Sequence, residues 1–235
     1  MCPLRANTKQ PYNGWKGTII AVKLPNGVLF SLATTYESAD TVSAVTNANP
    51  GVATTSGSHS ITTGTFMEVT SGWARLNQRI VRAASASGST LSYEGIDTSS
   101  TTVYPAGSGT GSVRAISAWT QISQVLDLST SGGDMQFATY SFLEQDFESQ
   151  IPTQASPMSI NITIADDASL AGYIALKAAA ISRALTGLKA TLPDSSVIVY
   201  NGYVSLNETP TMTKNQIMGV RATFSLMNTP TRYAS

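Results

Sequence analysis

Strict alternation of apolar and polar residues marks two strands in the C-terminal half of the chain. In residues 159–165, the alternation places Ile160, Ile162 and Ile164 on one face of a strand. Residues 218–227 alternate in the same way. Strands with one apolar and one polar face are typical of a sheet that buries only one of its faces. We therefore expect these two segments to cover a common core.

Between these two strands, apolar residues recur at helical spacing. The stripe comprises Leu170, Ile174, Ala178, Ile181, Leu185 and Leu188. Asp166, Asp167 and Ser169 precede it as N-terminal capping residues, and Gly187 lies near its end. This spacing predicts a helix at about 169–187 that packs the stripe against one face of the sheet.

Turn chemistry indicates two further pairs of strands. Pro-Asn-Gly at 25–27 separates the strand-like segments 17–22 and 28–32, which predicts a hairpin. Asn-Gly at 201–202 interrupts the strand-like segment 197–206. This second pair is either a hairpin turn or a bulge in one longer strand.

Region 41–117 is rich in Ser, Thr, Gly and Ala, with short β-like runs between turn residues. The runs lie at 66–69, 79–84, 90–93 and 112–116. Their spacing of roughly ten residues predicts a small barrel or sandwich. The chain then divides into an arm with first strands at 1–40, a β-barrel module at 41–117, and a remainder with the helix at 118–235. The fold class is mostly β, or α+β.

The composition argues against several classes of protein. The 235 residues include 14 basic and 14 acidic side chains, so only 12% are charged and the net charge is zero. Such a chain lacks the Lys and Arg clusters with which proteins bind duplex nucleic acid. The single cysteine, Cys2, forms neither an internal disulfide nor a thiolate metal site, as in proteins made in a reducing cytoplasm. No secretion signal or membrane span is apparent in the sequence.

The few charges are sorted by sign along the chain. The first 36 residues carry only bases, which are Arg5, Lys9, Lys16 and Lys23. Residues 115–176 carry only acids, which are Asp127, Asp134, Glu144, Asp146, Glu148, Asp166 and Asp167. One interpretation is chance clustering on solvated faces. The other is a surface that meets a complementary surface on another copy or repels polyanions.

Candidate catalytic residues are scarce. His59 is the only histidine and lies in a turn region, where a lone histidine is usually just polar. Glu144, Asp146 and Glu148 could supply a glycosidase carboxylate pair, but no aromatic platform for a sugar accompanies them, which favours a solvated loop. Neither a GxGxxG nor a GxxxxGK[ST] motif is present. We expect no enzyme, no cofactor and no metal.

The stretch from Gln136 to Tyr233 resembles the tail tube (major tail) proteins of long-tailed, siphovirus-like bacteriophages. The resemblance is carried by QFATYSFLEQDFESQIPT, SINITIADD and the segment ALKAAAISRALTGLKATLPDSSVIVYNGYVSLNETPTMTKNQIMGVRATFSLMNTPTRY. The middle stretch from Thr41 to Ser100 resembles a small β-barrel module of phage virion proteins. That module is similar to the first catalytic-cysteine half-domain of ubiquitin-activating enzymes, although the stretch has no cysteine.

The resemblance implies a tail-tube β-sandwich flanked by one helix, with the β-barrel module inserted at 41–117. It also implies a structural virion protein, assembled in the host cytoplasm, whose copies form hexameric rings. Stacked rings form the tail tube, through which DNA passes during ejection without specific binding. The implied partners are other copies and the tape measure, tail terminator and distal tail proteins, with no membrane.

On this interpretation the sorted charges have candidate roles. Asp127, Asp134, Glu144, Asp146 and Glu148 are the candidate lumen or inter-ring acidic surface. Arg5, Lys9, Lys16 and Lys23 form a candidate basic docking arm that would bind an acidic neighbour.

Two other classes of virion protein stay open. One is a tail terminator or capsid decoration protein, which shares ring symmetry but forms no long polymer. The other is a carbohydrate-binding adhesive module, in which Trp73 and Tyr93 would stack on sugars unless they pack inside the barrel.

Overall fold

A computed structural model describes residues 26–234, which form fifteen β-strands and one α-helix. The strands are β1 Leu29–Tyr36, β2 Asp40–Val45, β3 Val52–Thr55, β4 Phe66–Ser71, β5 Arg79–Ser87, β6 Thr90–Tyr93, β7 Gly111–Ile122, β8 Val125–Ser131, β9 Met135–Tyr140, β10 Ser149–Ala155, β11 Ser159–Ala165, β12 Thr186–Thr191, β13 Val197–Thr211, β14 Gly219–Leu226 and β15 Thr231–Tyr233. The helix α1 is Ala171–Ser182. The protein is thus mostly β, as the sequence predicts.

Six strands form a closed barrel in the order β2-β3-β6-β5-β4-β7, which closes through pairing of β2 with β7. All four β-like runs predicted in this region lie within β4, β5, β6 and β7. Large side chains fill the interior, including Met67, Trp73, Leu91 and Tyr93, each at most 2% exposed. The barrel therefore has a hydrophobic core of its own.

The remaining main sheet, here called the body, continues from the barrel in the order β7-β1-β12-β13-β14-β11-β8. Strand β7 belongs to both units, because its first half pairs with β4 and its second half pairs with β1. One face of the body packs with α1 around a second core that contains Ile162, Leu188 and Phe224. The alternation in β11 and β14 places its apolar residues in this core, as predicted.

The helix is shorter than predicted and packs with a different face. It ends at Ser182, where Arg183 adopts a left-handed conformation with φ of 52° and Thr186 starts β12. Its buried residues are Gly172, Tyr173, Leu176 and Ala179. In contrast, Ile174 and Ile181 of the predicted stripe are 56% and 71% exposed. The helix is apolar almost all round, so periodicity alone does not identify the face that packs.

Asn201 and Gly202 form neither a hairpin nor a bulge. They lie inside the continuous strand β13, which pairs with β12 up to Gly202 and with β14 from Gly202 onwards, without a register shift at this point. A Cβ at position 202 would overlap the carbonyl oxygen of Ser225. Glycine is needed here for close approach of two backbones, whereas the sequence pattern suggests a turn.

The predicted N-terminal hairpin is wrong along Phe30–Leu32. These residues of β1 pair with β12 on one edge and with β7 on the other. Since a strand has only two edges, no preceding strand can pair there. The other half of the predicted hairpin, residues 17–22, lies outside the described residues.

The C-terminal segment connects the body to the barrel. Strand β15 pairs with the start of β13, and Arg79 of the barrel donates a hydrogen bond from Nε to Thr231 Oγ1 at 2.8 Å. The amide nitrogen of Asn228 donates to the carbonyl of Asn77 at 2.8 Å. No helix between residues 26 and 234 is long and apolar enough to cross a membrane.

Candidate interaction surface

Strands β9 and β10 form a two-stranded sheet separate from the body and the barrel, here called the exposed hairpin (residues 135–155). Backbone hydrogen bonds at its base join Gly133 to Ser156 and Ser156 to Asp134. Gly133 there adopts a φ of +87°, which glycine tolerates at no steric cost. An isolated two-stranded hairpin is marginally stable in water. Its stability therefore depends on what covers it.

Large apolar side chains of the exposed hairpin are open to solvent. They are Met135, Phe137, Tyr140, Phe142, Leu143, Phe147 and Ile151, each at least 41% exposed. Burying one such Leu or Phe side chain contributes about 1.5–3 kcal/mol. This concentration of apolar surface favours association with another molecule.

Both faces of the exposed hairpin are apolar. Phe137 lies opposite Pro152 on one face, and Ala138 lies opposite Ile151 on the other, because neighbouring residues of a strand point to opposite faces. A flap that covers a single surface would need only one apolar face. The exposed hairpin instead has the character of an element inserted between two surfaces.

The predicted acidic residues separate into three groups. Glu144, Asp146 and Glu148 lie together in the loop Ser141–Glu148, here called the hairpin tip, and all three are exposed. Asp134 lies at the base of the exposed hairpin, and Asp127 is exposed on β8. The predicted basic arm, Arg5, Lys9, Lys16 and Lys23, lies outside the described residues. The hairpin tip thus combines three carboxylates with exposed aromatic rings.

A recess of about 550 Å³ lies between α1 and β13, here called the helix recess. Its lining includes Lys177, Ala180, Ile181, Arg183, Leu206 and Glu208. The Nζ of Lys177 donates a hydrogen bond to Glu208 Oε2 at 2.7 Å, and this bond raises the pKa of Lys177. The exposed Ile174 and Ile181 form an apolar stripe on the outer side of the same helix.

An ion pair between Glu68 and Arg114 has a structural role. Glu68 on β4 is 4% exposed and accepts a hydrogen bond from the Arg114 guanidinium at 2.7 Å. The same guanidinium lies 4.1 Å from the centre of the Tyr36 ring. The Tyr36 hydroxyl accepts a hydrogen bond from the Gly187 N–H at 2.8 Å, and burial raises the pKa of Tyr36 to about 12. These contacts hold the barrel and the body together.

The other candidate residues within 26–234 make structural contacts. The His59 ring nitrogen Nε2 lies 3.2 Å from the backbone carbonyl oxygen of Thr90. A contact with a backbone carbonyl does not pair the histidine with a nucleophile. Trp73 and Tyr93 are 2% and 0% exposed, so they pack in the barrel core and cannot stack on a sugar. Within residues 26–234, no cluster of His, Cys, Asp or Glu could hold a metal ion.

Sequence reasoning identified the acids of the hairpin tip but missed the apolar side chains around them. The available signal was Phe142, Leu143 and Phe147, which interleave with acids in a segment that has neither helical nor strand periodicity. Large apolar residues in such a segment have no core to enter. The sequence pattern does not reveal the exposed stripe on α1, because helical spacing assigns Ile174 and Ile181 to the packed face.

Comparisons with known proteins identify a family. A family model described as "Phage tail tube protein, TTP" matches residues 71–235, more than half of the chain. Among solved structures, the fold is similar to that in the cryo-EM structure of the anti-feeding prophage cap (AFP tube terminating cap). That similarity covers 49% of this chain and 83% of the other, at 17% identity and a TM-score of 0.33. No curated protein matches the sequence.

Proposed function

Because the chain belongs to the phage tail tube protein family, a family of virion tail components, we propose that it is the subunit whose hexameric rings stack into the DNA-conducting tail tube. Its role is structural. The proposed tail is of the long, siphovirus-like type. The proposed partners are other copies and the proteins that initiate, measure and terminate the tube.

The observation that carries this proposal is the exposed hairpin, with apolar side chains on both faces. A stable soluble monomer rarely leaves so many large apolar side chains together in water. The exposed fractions of Phe137 and Ile151, on opposite faces, are 56% and 53%. Copies that insert this hairpin between neighbouring subunits would remove both faces from water at once. Burial of these apolar side chains would drive the association of copies, and each added copy would bury a further hairpin.

A contact between two different surfaces supports rings in particular. In the proposed ring, the exposed hairpin of one copy meets a different surface of the next copy, so the contact is heterologous. Such a head-to-tail contact closes into a ring when its rotation divides a full circle. Strand β8, which is the edge of the body sheet within residues 26–234, offers a further row of backbone groups for pairing between copies.

The barrel and the acidic residues have proposed places in this assembly. We place the barrel, as a module inserted into a tail-tube β-sandwich, on the outside of the tube, because a module of that size would obstruct the bore. Acidic residues on the lumen wall or between rings would repel DNA and prevent it from binding as it passes. This gives passage without specific recognition.

Negative-stain electron microscopy of the purified, concentrated protein tests the proposed function. We expect hollow tubes of stacked rings. Discrete rings without tubes would contradict the proposal that the chain is the tail-tube subunit. They would favour a tail terminator or capsid decoration protein. The variant Phe137→Asp with Ile151→Asp, one charge on each face of the hairpin, should form neither. Ser99→Asp with Thr102→Asp, at exposed barrel positions, is the matched control and should assemble as the unmodified chain does.

A further inference from the structure

We propose that the hairpin tip of one copy docks in the helix recess of a second copy, with Phe147 against the apolar lining and the tip carboxylates facing Lys177 and Arg183. This inference rests on the proposed function, because it needs copies that associate. It specifies the two surfaces that meet, which self-assembly alone does not.

The first argument is the geometry of the hairpin tip. Leu143 is fully exposed and Phe147 is 80% exposed, so both side chains project into solvent at the end of the hairpin farthest from its base. The rings of Tyr140 and Phe142 pack edge to face with centroids 5.7 Å apart, which gives the tip a partly fixed shape. A preshaped apolar projection loses less conformational freedom when it enters a recess.

The second argument is the shape and lining of the helix recess. Its volume of about 550 Å³ can accept a phenyl ring. Ala180, Val204 and Leu206 supply apolar wall, and the exposed Ile181 lies at its rim. The exposed stripe Ile174–Ile181 continues this surface along α1. A docked hairpin would therefore cover apolar area both inside the recess and beside it.

The third argument is charge. The hairpin tip carries three carboxylates, whereas the helix recess has two bases, Lys177 and Arg183, against one acid. Because that acid, Glu208, pairs with Lys177, the exposed Arg183 supplies the excess positive charge. A second recess, at the β8 edge, contains Asp127, which would repel the tip. A third, beside Pro157 and Met227, has no charged lining residue.

The remaining recess, between β1 and the end of α1, contains Arg114. That guanidinium is already neutralised by the buried carboxylate of Glu68. Of these four recesses in the described part of the chain, the helix recess alone presents an excess of exposed positive charge. Charge complementarity therefore selects it as the acceptor of the tip.

A charge-reversal cycle tests the docking. One variant carries Glu144→Lys, Asp146→Lys and Glu148→Lys, a second carries Lys177→Glu and Arg183→Glu, and a third combines all five changes. Assembly is measured by sedimentation as the lowest protein concentration that yields rings or tubes. We expect each separate variant to raise that concentration about tenfold or more and the combination to restore it to within about threefold.

The control variant is Lys214→Glu with Arg221→Glu, which makes the same charge change at exposed positions outside the helix recess. It should not rescue the reversed tip. Normal assembly of the reversed tip would overturn the docking while leaving the tube function intact. Rescue by Lys16→Glu with Lys23→Glu would assign the tip to the basic arm of a second copy, and this too would overturn the proposal.

A second measurement does not depend on tube formation. In a Cys2→Ser background, a Phe147→Cys chain is mixed with an Ile181→Cys chain and oxidised. We expect a disulfide-linked dimer in the mixture that exceeds the dimer in either chain alone. Ser99→Cys in place of Ile181→Cys is the matched control. If the mixture gives no more dimer than this control, the docking is wrong. A dimer without tubes supports the docking and counts against the tube function alone.

Discussion

The hydroxyl of Tyr233 accepts a hydrogen bond from the backbone N–H of Arg82 at 2.8 Å, so the end of the chain contacts the barrel directly. The guanidinium of Arg82 also lies 4.6 Å from the centre of the Tyr233 ring, and its Nε donates to Glu94 at 2.6 Å. The Phe66 ring packs edge to face against the same Tyr233 ring, with centroids 5.9 Å apart. Strand β15 thus fixes the barrel relative to the body.

Removing the Tyr233 hydroxyl should destabilise the protein measurably. Tyr233→Phe keeps the ring contacts but leaves the Arg82 N–H without this acceptor, which should cost about 1 kcal/mol. The measurement is the free energy of unfolding from urea titration. The control Tyr203→Phe, at a 41% exposed position on β13, should change that free energy by no more than about 0.5 kcal/mol. Equal effects of both variants would contradict a specific role of the Tyr233 hydroxyl.

Stability should fall in the alkaline range because four tyrosines are buried or half-buried. Burial raises the pKa of Tyr93 and Tyr200, and it raises the pKa of Tyr36 and Tyr233 to about 12 from the ordinary value of 10. Between these pH values the unfolded tyrosines lose their protons before the folded ones do, so the free energy of unfolding decreases as the pH rises. Below pH 10 the contribution is fully present.

The measurement is urea unfolding at several pH values from 9 to 12, with tyrosinate absorbance followed on the folded protein. In the variant Tyr36→Phe with Tyr233→Phe, the decline in unfolding free energy should be shallower. An unchanged slope in this variant would assign the alkaline decline to other groups.

Gly202→Ala should be strongly destabilising although it adds one methyl group. The new Cβ would overlap the carbonyl oxygen of Ser225, so β13 and β14 would have to separate. We expect a loss of about 2 kcal/mol or more in the free energy of unfolding. Gly57→Ala is the control, since a Cβ at position 57 meets no atom within 4 Å. A tolerated Gly202→Ala would show that the two strands can move apart without cost.

The two sides of α1 should respond differently to truncation. Leu176→Ala removes a fully buried side chain and should cost about 2–5 kcal/mol of unfolding free energy. Ile181→Ala removes a 71% exposed side chain and should cost no more than about 0.5 kcal/mol. Thermal unfolding followed by circular dichroism distinguishes them. If Ile181→Ala were the more destabilising, the stripe predicted from the sequence would be the packed face after all.

The sequence by itself determined the elements whose signal is local. Strict alternation identified β11 as Ser159–Ala165 and located β14. Short β-like runs between turn residues located four strands of the barrel. In β11 the isoleucines are buried and the residues between them are half-buried, so the alternation records the environment directly. The acidic character of the hairpin tip was also evident, because the charge of a segment follows from its residue types alone.

Only the tertiary structure decided which surfaces meet. Gly202 approaches Ser225 because β12 and β14 pair with opposite edges of β13 and both pairings include that residue, which no local pattern records. Leu176, instead of Ile174 and Ile181, is buried in α1 because the body sheet lies on that side of an almost wholly apolar helix. Alternation and helical spacing state that a segment has an apolar face. The surface that this face covers depends on residues far away in the chain. Where residues 26–234 supply no such surface, as for the exposed hairpin, apolar side chains remain in solvent.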